Sequence, residues 1–203
     1  MVFMDLEDMR KRLELVLSDK RYRHSVNVME TAVKLAVKYG EDSSKAALAG
    51  LLHDCAREIR GEEIFEACRR YDIPVDTVTR AQPELLHGSI GAVLAREEYA
   101  VCDESVLDAI RFHTTGRENM SMLEKIVFIA DYIEPGRNFP EVHEARKIAF
   151  EDIDMAVLNS LDRTMGYLIN RGVLIHTDTV NARNSVIILI KARGQTYEKD
   201  YRV

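Results

Sequence analysis

Apolar residues recur at steps of three and four along most of this chain, the spacing of helices that bury one face. After His24, residues Val26, Met29, Val33, Ala36 and Val37 keep that rhythm, and Gly40 stops it. Asp42-Ser43-Ser44 offers caps for a following helix over about 44–55, which carries Ala47, Leu48, Leu51 and Leu52. The same spacing predicts helices near 61–70, 88–99, 103–112, 121–132, 140–149, 151–171 and 180–192. The run Val186-Ile187-Ile188-Leu189-Ile190 suits a strand by composition, because β-branched runs are ambiguous. Its helical continuation from Thr179 to Lys191 assigns it to a helix. The reading is all-α, without repeats or linkers, ending in a fraying charged tail from Tyr197 to Val203.

Composition narrows the function classes. A chain of 203 residues that is 46% hydrophobic can bury a sizeable core, which excludes disorder as its dominant state. The net charge of −6 argues against a generic nucleic-acid binder, which needs excess cations along a phosphate backbone. No run reaches the roughly 18 apolar residues of a membrane helix. The opening stretch MVFMDLEDMRKRLELVLSDK has no apolar export segment. Cys55, Cys68 and Cys102 are an odd set without zinc-ribbon spacing, as expected of reduced thiols. The expected compartment is the cytoplasm, with neither nucleic acid nor membrane as partner. A homodimer is one option the sequence leaves open.

The candidate chemistry lies in where the six histidines fall. His24 opens an amphipathic helix, and His53-Asp54 closes another. His87 starts a helix, His113 ends one, and Asp131 follows the apolar run Phe128-Ile129-Ala130. Any one of these alone is ordinarily a satisfied core or cap residue. Together, four imidazoles and two carboxylates in apolar surroundings need partners, because burying them unpaired costs several kcal/mol each. A shared metal centre supplies partners for all. Asp54 has two oxygens and can bind one ion with each, holding two metals roughly 3.5–4 Å apart. Histidines from three other helices complete the two shells. Mixed imidazole and carboxylate donors favour Fe, Mn, Zn or Co over Mg and Ca. Such a pair of ions activates water and neutralises phosphoryl charge.

The order His24, His53-Asp54, Asp131 resembles the HD-domain metal-dependent phosphohydrolases, and the added His87 and His113 resemble their dinuclear branches. More closely, the chain resembles the bacterial YqeK family of symmetrical bis(5′-nucleosyl)-tetraphosphatases. The strings are Arg23-His24-Ser25, Gly50-Leu51-Leu52-His53-Asp54, Leu86-His87-Gly88 and His113-Thr114-Thr115-Gly116. Ala130-Asp131-Tyr132-Ile133-Glu134-Pro135-Gly136-Arg137 and Ala182-Arg183-Asn184 complete them. The resemblance implies one compact HD-domain helical bundle over 1–203. Its metal-binding core spans about 19–132, with C-terminal helices at about 140–192 packing on it. It implies an iron enzyme, with one or two ions, that cleaves diadenosine tetraphosphate into two ADP. His24, His53, Asp54 and Asp131 hold the tighter ion on this reading, while His87 and His113 face the second ion or the substrate phosphates. Arg57 stands where many HD proteins have lysine, which puts a planar fork in place of an ammonium. Asn27, where a small residue is common, shares the face of His24 and is a candidate pocket residue.

Other residues carry two readings each. Arg137, just past a Pro-Gly turn, either contacts the polyphosphate or is an ion-paired surface arginine. Thr179, Arg183 and Asn184 open the last helix, as an anion or ribose site or with Thr179 as a plain N-cap. Thr114-Thr115-Gly116 either positions phosphate or ends a helix. Of the basic runs, Arg10-Lys11-Arg12 reads as solvated, whereas Lys20-Arg21-Tyr22-Arg23 lies near enough to His24 to steer an acidic substrate. Cys55 reads as a packed small hydrophobe, and His143 and His176 as surface or structural. Two alternatives to tetraphosphate hydrolysis stand: an HD-fold di-iron oxygenase, and an HD hydrolase of nucleoside monophosphates, alarmones or cyclic dinucleotides.

Overall fold

The computed structural model describes residues 4–195, so the tail 197–203 lies outside the described residues. Among those described, the chain forms eleven α-helices, one 3₁₀ turn and no strand. In order they are α1 (Leu6–Val16), α2 (Asp19–Tyr39), α3 (Ser43–Leu52), α4 (Glu62–Arg70) and α5 (Thr77–Ala81). The 3₁₀ turn Pro83–Leu86 leads into α6 (His87–Tyr99) and α7 (Glu104–Phe112). The chain continues through α8 (Met122–Ile133), α9 (Val142–Glu151), α10 (Ile153–Asn170) and α11 (Thr177–Ala192). The Val186–Ile190 run is helical, as its spacing predicts.

Several boundaries differ from the sequence expectation for physical reasons. Helix α1 is absent from the sequence reading because the charges of Arg10-Lys11-Arg12 mask a stripe of Met9, Leu13 and Leu17 at four-residue steps, all buried. Asp5 caps it, accepting from Asp8 N at 2.8 Å. Helix α2 starts at Asp19, so His24 sits in its second turn and does not open it. Helix α3 ends at Leu52. Beyond it the backbone tightens into three-residue turns, with Cys55 N donating to Leu52 O and Arg57 N to Asp54 O. Helix α5 and the 3₁₀ turn are too short to print an apolar period. The last helix is capped by His176, whose Nδ1 accepts from Asp178 N at 3.2 Å, so Thr179 is not the N-cap. The Asp42 and Gly40 caps stand as expected: Asp42 Oδ1 accepts from Ser44 N at 2.8 Å, and Gly40 closes α2 in the left-handed region.

One continuous core runs from Met9 to Ile190. Helices α2, α3, α7 and α8 pack around it, α10 packs on α8, and α9 and α11 pack on α10. A smaller cluster of Ala56, Ile64, Cys68, Leu86 and Ile90 fastens α4 and the 3₁₀ turn to α6. Two glycines allow the close approaches that matter for the site. A Cβ on Gly50 would lie 2.9 Å from the Met29 Cα, so α2 and α3 meet backbone to backbone. A Cβ on Gly88 would lie 2.5 Å from Arg111 O, which binds α6 equally closely to α7. Among the described residues no helix is long and apolar enough to cross a membrane.

Candidate metal centre

Five elements send six polar groups to the same point. Helix α2 supplies His24, the turn after α3 supplies His53 and Asp54, α6 supplies His87, the end of α7 supplies His113, and α8 supplies Asp131. His53, Asp54, His87 and His113 are all buried. Each histidine is fixed by what its Nδ1 does. His53 Nδ1 donates to Gly50 O at 2.8 Å, His113 Nδ1 to Ile110 O at 2.7 Å, and His87 Nδ1 to Glu84 O. All three reach back to a carbonyl three residues earlier, which leaves the Nε2 lone pair free. His24 Nδ1 donates instead to the Glu134 carboxylate at 3.2 Å.

The four Nε2 atoms then face one another and the two carboxylates. His24 and His53 Nε2 lie 3.2 Å apart, and His87 and His113 Nε2 lie 3.0 Å apart. Two lone pairs at that distance do not bond each other, so a cation between them is what the donor set fits. Asp54 divides its oxygens: Oδ2 lies 3.9 and 3.8 Å from His24 and His53 Nε2, while Oδ1 lies 3.2 and 3.8 Å from His87 and His113 Nε2. Asp131 Oδ1 lies 3.0 Å from His24 Nε2 and 3.9 Å from His53 Nε2. The ligand atoms of His24, His53 and Asp131, and those of His53, Asp54 and His113, each lie within 4.8 Å of one another. His53 belongs to both groups.

Electrostatics puts His53, His113, Asp54 and Asp131 in the state a metal needs, neutral imidazole and ionised carboxylate, and pulls His24 the other way. Burial pushes His53 down, and burial beside His53 and His87 pushes His113 down to about 3. Burial resists ionisation of Asp54, but His53, His87 and His113 around it hold its carboxyl far below the usual range. Burial likewise opposes Asp131, where His24, His53 and Arg137 prevail and hold it low. For His24, burial is outweighed by Asp131 and Glu134, which raise it.

A model of the HD domain family matches residues 21–136. The chain belongs to the HD domain family. It is 44% identical over 181 residues to the symmetrical bis(5′-nucleosyl)-tetraphosphatase of Halalkalibacterium halodurans, covering 88% of this chain and 96% of that relative. The protein of the same name from Bacillus subtilis is 40% identical over 184 residues, covering 91% of this chain and 98% of the relative. At such identity over nearly whole chains, this HD protein belongs to their family too, the branch its motifs resemble. A solved structure from Clostridium acetobutylicum, a predicted HD superfamily hydrolase involved in NAD metabolism, superposes with a TM-score of 0.90. It is 46% identical and covers 93% of this chain and all of that one.

The remaining candidates fall into three groups. Arg57 borders the cluster: its Nη1 donates to the Glu84 carbonyl at 3.3 Å, the same oxygen that orients His87. Arg137 binds the cluster directly, donating from Nε to Asp131 O at 2.8 Å and from Nη2 to the Asp131 carboxylate. The Asn27 amide donates to Glu134 Oε2 at 2.9 Å, so in this structure it supports a ligand and does not face open space. Along α11, Thr179 is buried, Asn184 is exposed, and Arg183 Nε donates to the buried Asp162 of α10. A cavity of about 470 Å³ at the start of α11 is walled by Tyr71, Phe112, Thr115, His176 and Asp178, and not by Thr179, Arg183 or Asn184. His143 is exposed, and His176 Nε2 pairs with Asp76 at 2.9 Å. Cys55 is buried, its thiol pushed up to about 12 by burial and Asp54.

Three residues near the cluster escaped assignment from sequence. Thr114 Oγ1 lies 2.9 Å from His113 Nε2 and 3.3 Å from His87 Nε2, though its neighbours gave no way to choose between cap and site. Arg21 is the member of its basic run that arrives, with Nη1 3.0 Å from Asp54 Oδ2. Glu134, 3% exposed, accepts from His24 Nδ1, Asn27 Nδ2 and Gly136 N. Its signal was present, three residues past Asp131 in the Glu-Pro-Gly string. A carboxylate behind a ligating imidazole fixes the ring and raises its basicity. Glu134→Gln is expected to weaken divalent-metal affinity about 10- to 100-fold with the helical circular dichroism intact. Unchanged affinity in a metal titration would leave Glu134 a purely structural group.

Proposed function

We propose that this chain is a metal-dependent hydrolase that splits diadenosine tetraphosphate, and like dinucleoside polyphosphates, into two nucleoside diphosphates. The observation that carries it is the division of Asp54, one oxygen toward His24 and His53 and the other toward His87 and His113. The names of the relatives, symmetrical bis(5′-nucleosyl)-tetraphosphatases, supply the substrate. His24, His53, Asp54 and Asp131 are assigned to one ion, and Asp54, His87 and His113 to a second. Ions held by these residues would supply activated water and neutralise phosphoryl charge. Iron is our assignment, and Mn, Co and Zn suit the same donors.

Around them the chain's own residues bind and orient. Arg137, 38% exposed and anchored on Asp131, has N–H groups to offer phosphate oxygens. Thr114 lies between His87 and His113, where its hydroxyl can donate to a phosphoryl oxygen. The start of α11, with Thr179, Arg183 and Asn184, remains our candidate for a nucleoside end, although the cavity at that end is walled by His176 and Asp178 and not by these three. Asn27 acts through Glu134. The free thiols of Cys55, Cys68 and Cys102 suit a reducing cytoplasm, where we place the protein.

The overall reaction consumes one water. Its oxygen bonds to the second phosphorus as the central P–O–P bridge breaks, and its protons pass to product phosphate and solvent. With diadenosine tetraphosphate the only nucleotide product is expected to be ADP. A single turnover in heavy-oxygen water places the label on one terminal phosphate. AMP with ATP would overturn the symmetric register, and oxygen consumption on adding substrate would favour the oxygenase.

A further inference from the structure

Beside His87 lies a cavity of about 460 Å³, within the roughly 300–1,000 Å³ range of small-molecule sites. Its inner end is cationic. Arg21 reaches Asp54 Oδ2 there, and Arg57 is held by the Glu84 carbonyl. Arg57 is half-buried and, among the described residues, has no carboxylate within 4 Å. Arg60 stands at the outer rim, 73% exposed and paired with Glu58 at 2.6 Å. The wall between carries the apolar side chains of Ile59, Ile64 and Pro83, with Gly61 and the exposed Glu84 completing the lining. Ile64 is buried in the small cluster that also holds Leu86, so this wall is rigidly seated.

A guanidinium withdrawn from water without an acidic partner is costly, and its planar fork matches phosphate oxygens. An apolar wall a few residues farther out suits the flat face of a base. We propose that this cleft holds one nucleoside diphosphate half of the substrate, with phosphates at Arg21 and Arg57 and the nucleoside against Ile59 and Pro83. The proposal rests on the reading above and deepens it. A cleft that admits two phosphates before His87 brings the central bridge of a tetraphosphate over the histidine cluster, which is where symmetric cleavage needs it.

The test is calorimetric titration of ADP into metal-saturated protein, alongside KM for diadenosine tetraphosphate. Arg57→Ala is expected to weaken ADP binding and raise KM about tenfold or more, as for loss of a charge-assisted phosphate contact. Arg60→Ala, at a screened site, is expected to cost about two- to threefold. Arg69→Ala removes an equal charge outside the cleft and should behave as wild type. Metal content, measured in each variant, should stay constant. Wild-type ADP affinity and KM in the Arg57/Arg60 double variant would overturn the cleft. Loss of ADP binding in the variants of a protein that leaves diadenosine tetraphosphate intact would support the cleft and overturn the activity.

Discussion

Replacing Asp54 by alanine is expected to strip the centre of metal and reduce turnover beyond about 10³-fold, the upper loss typical of one electrostatic catalytic group. Among the described residues Asp54 is the carboxylate that puts one oxygen toward each half of the cluster. Its Oδ2 faces His24 and His53, and its Oδ1 faces His87 and His113. Without it four imidazole lone pairs face one another with only Asp131 to offset a cation's charge. His53→Ala should do nearly the same, because His53 Nε2 belongs to both ligand groups. His87→Ala and His113→Ala should differ: each removes a ligand from the Asp54 Oδ1 side only, leaving about one metal per chain. His24→Ala should empty the other side. Elemental analysis of protein purified without chelators reads all five variants against wild type. Normal metal content in both Asp54→Ala and His53→Ala would remove the proposed centre. Equal metal loss from His24, His87 and His113 variants would contradict the division between the two sides.

Much of this arrangement is legible in sequence because His53-Asp54, His87 and His113 sit where helices begin or end, and helix ends are marked by caps and breaks in apolar spacing. His24 and Asp131 lie within α2 and α8, and the six candidate groups come from five elements that the structure brings together. What the sequence hid is of two kinds. Helix α1 was lost because a short apolar stripe, Met9, Leu13 and Leu17, is outnumbered by charges on its other faces. The hydrogen bonds of Glu134, Asn27 and Arg21 join residues more than 30 apart, which local spacing does not encode. Asn27 and His24 do share a helix face, as expected, but the carboxylate that joins them arrives from the end of α8, more than 100 residues on. Arg137 raises a similar point. Its distance from Asp131 in sequence was readable, but the direction of its fork, toward the Asp131 carboxylate, was not.

The glycines within the ligand strings have a physical reason that predicts a second large effect. Gly88→Ala is expected to lower the melting temperature and to cost turnover, even though no ligand is altered. The added Cβ would lie 2.5 Å from Arg111 O and 3.3 Å from Ile110 O. These are backbone atoms, so neither can rotate away, and α6 must separate from α7. Overpacking of this kind costs about 1–3 kcal/mol. For a chain of this size each kcal/mol lowers the melting temperature by roughly 2–4 °C. The chemistry should suffer more, because Ile110 O is the acceptor that orients His113, and His87 adjoins Gly88. Their Nε2 atoms, now 3.0 Å apart, would move with the two helices, and a 1 Å misplacement at a reacting centre costs about 10²-fold. Gly166→Ala is the matched control. That glycine lies within α10 with nothing within 4 Å of its missing Cβ, so alanine there should be neutral or stabilise by up to about 1 kcal/mol. Thermal unfolding, metal content and turnover of the two variants separate the effects. If Gly88→Ala keeps the wild-type melting temperature, metal content and rate, the close contact of α6 with α7 does not set the positions of His87 and His113.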